Sequence, residues 1–236
     1  MTPARAGVLS GRPARGAALA LPLVLAGCML GFGGPREAPA TVAVAGGEVT
    51  VAGPDGYCID RAALRDAGDG AFVLLGSCAA LSGNPRAPHP LRAAVLTAAV
   101  SGDADGPPVA ALLPQLPAFM RSPAGRAALA RNGDPASVTV EAAEARDGAL
   151  WLRVRDEGTA GAPAVEPGYV RVVFDLGPRI VTLSVMAPAG RPIAYDAAEA
   201  VLAEFLRAVR AANADGLPPV RDAAIPVPPP PGAAHG

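Results

Sequence analysis

The stretch SVTVEAAEARDGALWLRVR, residues 137–155, decides the reading of the fold. Ser137–Ala145 alternates in polarity, Asp147-Gly148 is a hairpin signal, and Ala149–Arg155 alternates again. Leu150, Leu152 and Val154 share one phase, while Trp151, Arg153 and Arg155 share the other. Side chains on a strand point to opposite faces in turn, so this pattern predicts an antiparallel hairpin with one buried face.

Downstream, Glu157–Pro167 reads as a Gly/Pro loop, and Tyr169–Asp175 with Arg179–Met186 reads as a second hairpin across Leu176-Gly177-Pro178. Asp196 then opens the longest helix, with Glu199 three positions on in the capping-box arrangement. Val201, Leu202, Phe205, Leu206 and Val209 fall on one face of that helix. Two hairpins followed by an amphipathic helix predict a single α+β domain, mainly an antiparallel sheet covered on one face by the C-terminal helix.

Upstream, the signals are shorter. Glu48–Ala52 alternates as a strand, Gly53-Pro54-Asp55-Gly56 is a turn, and Asp60 is placed to cap a short helix over Arg61–Asp66. Ala71–Leu75 reads as a buried strand, Leu91–Ser101 as a central strand or, by its alanines, a helix, and Ala79–Pro90 as a loop. Val109–Met120, broken by Pro114 and Pro117, predicts one or two helical turns. Ser122-Pro123 is a capping hydroxyl followed by proline at the first helical position, so a helix runs over Ala124–Arg131.

The two ends read differently. Met1–Gly16 carries Arg5, Arg12 and Arg15 and no acid, and Ala17–Cys28 (AALALPLVLAGC) follows as a short apolar run. A bilayer span needs about 20 apolar residues, so this run reads as an export signal rather than a membrane helix. Leu25-Ala26-Gly27-Cys28 resembles the lipobox of bacterial lipoproteins at all four positions. That resemblance implies cleavage before Cys28, lipidation of its thiol, and a domain held on the membrane by acyl chains. Met29 stands where an inner-membrane retention signal would place aspartate, so the outer membrane is the implied destination. The organisation expected is a signal at 1–27, a flexible tether at 28–47, the domain at 48–215 and a tail at 216–236. That tail holds seven prolines in 21 residues and is expected to be extended.

Composition narrows the function classes. The chain of 236 residues has 20 basic residues, all arginine, and 21 acidic ones; cleavage at Cys28 leaves a net charge of about −4. That is no footprint for nucleic acid. Aromatics make up only 4%, too few for a stacking surface.

Cys58 and Cys78 remain as an even pair in an exported chain, and a disulfide between them is the expected outcome. A metal site would need more ligands than His89 supplies, and no Cys-X-X-Cys pattern supports redox chemistry. No cofactor is implied.

No catalytic set emerges. His89 lies between two prolines and His235 in the tail, so neither Ser77 nor any other nucleophile has a base held near it. Glu141, Arg153, Arg155, Arg171 and Asp175 all fall on the less apolar phase of adjacent strands. They form a candidate binding face for an anion or a polar partner, and cross-strand charge pairing explains the same residues with nothing bound.

Gly56-Tyr57-Cys58-Ile59-Asp60, Ala71–Cys78 and Tyr169–Val185 with the final helix resemble a group of proteobacterial lipoproteins that carries no assigned activity. The order of hairpin, hairpin and helix is also faintly similar to PsbP-like α/β/α sandwiches, which mainly host accessory binding roles. The expectation is a lipid-anchored, periplasm-facing envelope protein that binds or assists assembly and does not catalyse. The alternative is small-molecule binding or hydrolysis near Cys58–Cys78, with Asp60 or Ser77 lining a concave site.

Overall fold

Asp147 and Gly148 both take positive φ, 53° and 68°, the paired left-handed conformation of a two-residue hairpin turn whose twist matches the strands it joins. From that turn the sheet extends in both directions.

The computed structural model describes residues 38–67, 70–102, 106–158 and 164–214. In chain order the strands and helices are β1 (Thr41–Val44), β2 (Val49–Ala52), β3 (Tyr57–Ile59), β4 (Arg65–Asp66), β5 (Ala71–Ser77), α1 (Cys78–Ser82), β6 (Val95–Val100), α2 (Val109–Leu112), α3 (Leu116–Arg121) and α4 (Pro123–Leu129). Then come β7 (Val138–Arg146), β8 (Ala149–Asp156), β9 (Val165–Leu176), β10 (Arg179–Pro188) and α5 (Tyr195–Ala212). The main sheet runs β3-β5-β6-β10-β9-β8-β7, with β4 beside β3 on β5, and every pairing is antiparallel. Strands β1 and β2 form a separate hairpin. The fold is thus a single-domain α+β structure built on a large antiparallel sheet with a C-terminal helix.

One face of the sheet is buried across β5, β6, β10 and β9. Val73, Leu75, Leu96, Ala98, Val172, Phe174, Val181 and Leu183 lie beneath Leu202, Phe205 and Val209 of α5 and beside Val49 and Val51 of the small hairpin. Burying side chains of that size contributes about 1.5–3 kcal/mol each. The second face is covered only at one end. There Leu150, Leu152, Val154 and Tyr169 pack with Leu129, flanked by Leu113 just after α2 and by Leu116 and Met120 of α3. The sequence predicted one covered face; the broken helices α2–α4 supply a partial third layer.

Several local expectations differ from the structure. Residues 41–47 belong to the domain rather than to a tether, because Val44 and Ala45 are 1% exposed and Thr41–Val44 pairs with Val49–Ala52. Tyr57–Ile59 is a strand and no helix follows it. All three of its residues are buried, and Asp60 Oδ1 accepts from the Ala62 amide at 2.9 Å in an Asx turn. Residues 79–82, read as loop, belong to α1 (Cys78–Ser82), which is closed by Gly83 in the left-handed region. Leu91 is fully exposed rather than in the strand, which starts at Val95.

The capping box at α5 is also absent. Ala194 is the cap residue and offers no side-chain bond. Asp196 and Glu199 are drawn to Arg153 instead, where charge-assisted hydrogen bonds outweigh a cap on neutral backbone amides. By contrast, Ser122 caps α4 as predicted, accepting from the Gly125 amide at 3.2 Å, with Pro123 in the first turn. The lipobox cysteine Cys28, the signal and the Pro-rich tail lie outside the described residues. Among the described residues no helix is long and apolar enough to cross a membrane.

Candidate functional site

Strand register places the five predicted binding-face residues on both sides of the sheet. Arg153 pairs across from Val170, a residue of the α5-covered face, whereas Arg171 pairs across from Leu152 and Asp175 from Ile180 on the opposite face. The structure does not bring the five together. The alternation within each strand was legible, but the phase relation between β8 and β9 is set by register and not by either strand alone.

On the α5 side the charges lock helix to sheet. Arg153 donates through Nε to Glu199 at 2.6 Å and through Nη2 to Asp196 at 2.8 Å. Arg146 reaches Glu199 at 3.2 Å while lying 4.3 Å over the Trp151 ring. The hydrogen bond from Arg153 holds the Glu199 carboxyl below the usual carboxylate range, with burial opposing and Arg146 reinforcing it. Glu141 is the extra residue of a bulge between Val140 and Ala142 and lies beside the Tyr195 hydroxyl. Burial, then that carboxylate, pushes Tyr195 up to about 12. Arg155 makes a local exposed pair with Glu157 at 2.7 Å, which adds little stability.

On the opposite side Asp175 is structural. Its two oxygens accept from the Val109 and Ala110 amides, each at 2.9 Å, and pin the start of α2 to β9. Arg171 differs. It donates through Nε to the hydroxyl of Ser184 at 3.0 Å and lies 5.0 Å from the Tyr169 ring centre.

The Cys58–Cys78 disulfide is present, with an S–S distance of 2.05 Å across 20 residues. It joins β3 to the first residue of α1. Around it is a hollow of about 480 Å³ lined in part by Asp55, Ser82 and the bridge itself. Neither Asp60 nor Ser77 lines it.

A larger open groove of about 1200 Å³ runs between α5 and the segments at 53–57 and 89–92, with Tyr57, His89, Leu91, Arg92, Glu204 and Arg207 among its walls. The Tyr57 hydroxyl donates to the Arg92 carbonyl at 2.6 Å, and burial followed by the Glu204 charge pushes its pKa up to about 12. His89 Nε2 lies 3.1 Å from the Pro85 carbonyl within its own loop. Among the described residues no group of three or more His, Cys, Asp and Glu side chains could hold a metal.

The remaining surface of interest is the part of the second sheet face that α2–α4 leave open, over β5, β6 and β10. Its residues alternate with a fully buried set: Phe72 is 38% exposed where Val73 is 0% exposed. Leu74, Val95, Thr97, Ala99, Thr182 and Met186 are likewise half-buried or exposed. Sequence reading missed this surface because it treated the apolar run Ala71–Leu75 as buried on both sides.

Compared with known proteins, the chain matches no family model, no curated protein and no solved structure.

Proposed function

We propose that this is a lipid-anchored, periplasm-facing envelope protein that acts by binding, with the open sheet face over β5, β6 and β10 as its contact surface. The observation that carries the reading is the exposure contrast along β5 and β6. Phe72 and Ala99 face outward where the residues beside them, Val73 and Ala98, are completely buried. Phe72, with Leu74 and Val95 beside it, makes this face apolar, and exposed apolar surface on a folded domain supports an interaction site. The lipobox Leu25-Ala26-Gly27-Cys28 supports the anchor, and a disulfide suits an exported domain. Met29 after the anchor cysteine favours the outer membrane.

A photo-crosslinking residue at Phe72 or Leu74 in the full chain should give one discrete adduct in intact cells, lost on Ala99→Arg. The same probe at Leu91, on the α5 side, should give none. Adducts from Leu91 alone would overturn the reading. Labelled palmitate should enter the wild-type chain and not Cys28→Ala.

A second reading, small-molecule binding beside the disulfide, is favoured by the 480 Å³ hollow at Cys58 and Cys78. Binding of a periplasmic metabolite lost on Asp55→Ala, with the Phe72 probe silent, would select it.

A further inference from the structure

One cross-strand row crosses the open face. Leu74 pairs with Thr97, Thr97 with Ser184, Ser184 with Arg171, and Arg171 with Leu152. Directly paired residues share a face, so two hydroxyls and one guanidinium lie side by side in register. At strand spacings of about 4.8 Å, Thr97 and Arg171 stand about 10 Å apart. Apolar residues flank the row on the same face: Phe72 on β5 to one side and Val95 on β6 to the other, with Met186 on β10 packed against the edge of the helix-covered cluster. Leu81 of α1 lies over Gly76 at one margin, since a Cβ on Gly76 would meet its side chain at 3.7 Å. At the other margin α2 is fixed to Asp175.

The row carries one cation, Arg171, and no carboxylate. Arg131, Arg146, Arg153, Arg155 and Arg179 each pair with a carboxylate. Among the described residues Arg171 has none; Arg121, Arg126 and Arg210 have none either, but they donate to backbone carbonyls. Its Nε is held by Ser184, which is 2% exposed, and its guanidinium rests against Tyr169, itself fixed by a bond from its hydroxyl to the Leu129 carbonyl. Arg131 lies 5.8 Å from the same ring, but Asp156 neutralises it. Arg171 is therefore a half-buried cation oriented at one nitrogen, and among the described residues no acceptor takes its two terminal amino groups. Guanidinium groups recognise carboxylates through two parallel hydrogen bonds, and a low-dielectric surround strengthens them.

We infer that the open sheet face binds an amphiphile with a single carboxylate head, the head on Arg171 with Thr97 nearby and the apolar body along Phe72, Leu74 and Val95. This rests on the reading of that face as the contact surface and adds the chemistry of what it contacts.

The test uses the full chain with Cys28→Ala, so that no acyl chain of its own competes, and decanoate and decanol as submicellar probes followed by amide chemical shifts. Decanoate should shift Thr97, Ser184 and Arg171 and bind about tenfold or more tightly than decanol, the margin expected of one charge-assisted bond. Arg171→Gln should abolish that preference and leave decanol binding unchanged, while Arg171→Lys should retain part of it. If Arg171→Gln disturbs folding, Thr97→Val and the lysine variant carry the comparison. Equal binding of the two probes, shifts on the α5 side instead, or a preference that survives Arg171→Gln would overturn the inference. Decanoate failing while the Phe72 crosslink persists would remove the carboxylate specificity alone; a silent Phe72 probe would remove the reading beneath it.

Discussion

Asn213, just past the end of α5, exchanges two hydrogen bonds with the backbone of Thr50 in β2. Its Oδ1 accepts from the Thr50 amide and its Nδ2 donates to the Thr50 carbonyl, both at 2.8 Å, while Nδ2 also donates to the Val209 carbonyl at 2.6 Å. The side chain thus copies a neighbouring strand, and it is only 7% exposed. It couples the helix C-terminus to a hairpin separated from it by 163 residues of sequence.

Asn213→Ala should therefore cost about 2 kcal/mol, because the Thr50 amide and carbonyl lose their partner in a partly buried setting. Asn213→Asp should be worse than its shape suggests, since a carboxylate can accept from Thr50 but cannot donate to it. Urea unfolding of the two variants against wild type measures both effects. Equal stability of all three would show that water replaces the amide at no cost.

The disulfide gives a second expectation. A bridge across 20 residues restricts the unfolded chain by an amount worth about 3 kcal/mol in the entropy model. Replacing both cysteines by serine, or reducing the bridge, should lower the melting temperature, with β3 the first strand to exchange its amides. Tyr57–Ile59 has only three residues paired to β5, so the bridge supplies much of what holds this sheet edge. A melting curve insensitive to reductant would contradict this.

The parts of the fold that sequence disclosed are those whose signal is local. The hairpins at Asp147-Gly148 and Gly177-Pro178, the Ser122 cap and the apolar stripe of α5 each depend on residues within a few positions of one another. The failures share the opposite property. Asp196 and Glu199 have a capping-box spacing, yet Arg153, 43 and 46 residues away, claims both carboxylates. Tyr57–Ile59 is too short to declare a period, and its conformation is imposed by β5. The binding face was half legible for the same reason. Arg171 stood out as a charge on a strand, but its separation from Arg153 by the thickness of the sheet follows from register alone. Its hydroxyl neighbours Thr97 and Ser184 come from strands that no local pattern connects to it.

Gly56 should tolerate no side chain. Its φ is +81°, and a Cβ there would lie 2.4 Å from the Pro90 nitrogen and 2.5 Å from the His89 carbonyl carbon. Both neighbours are backbone, so relief requires moving the 89–92 segment and breaking the Tyr57–Arg92 bond. Gly56→Ala should cost about 2 kcal/mol or more, combining the left-handed penalty with the overlap. By comparison, alanine at Gly148, also left-handed but with open space around it, should cost only about 1–2 kcal/mol. Thermal unfolding of the pair separates strain from collision, and equal losses would mean that the loop yields freely.

The link between α5 and the sheet carries a pH dependence whose sign is fixed by Glu199. Its carboxyl is held below its ordinary value, first by the hydrogen bond from Arg153 and further by Arg146. A group whose folded pKa is depressed adds stability above its unfolded pKa of about 4.3, and that stability is lost as pH falls through the folded value. At neutral pH Glu199→Gln removes the ion pair and leaves Arg153 with Asp196, whose side chain is 89% exposed. The expected loss there is about 1–2 kcal/mol, as for a charge-assisted bond that is partly solvated. Below the folded pKa the wild-type carboxyl is itself protonated and resembles the amide, so the two proteins should converge. Denaturant titrations stepped from neutral pH into the acid range, as far as the fold persists, would show the gap closing. A gap that stays constant across that range would mean that Glu199 contributes through the packing of its side chain rather than through its charge.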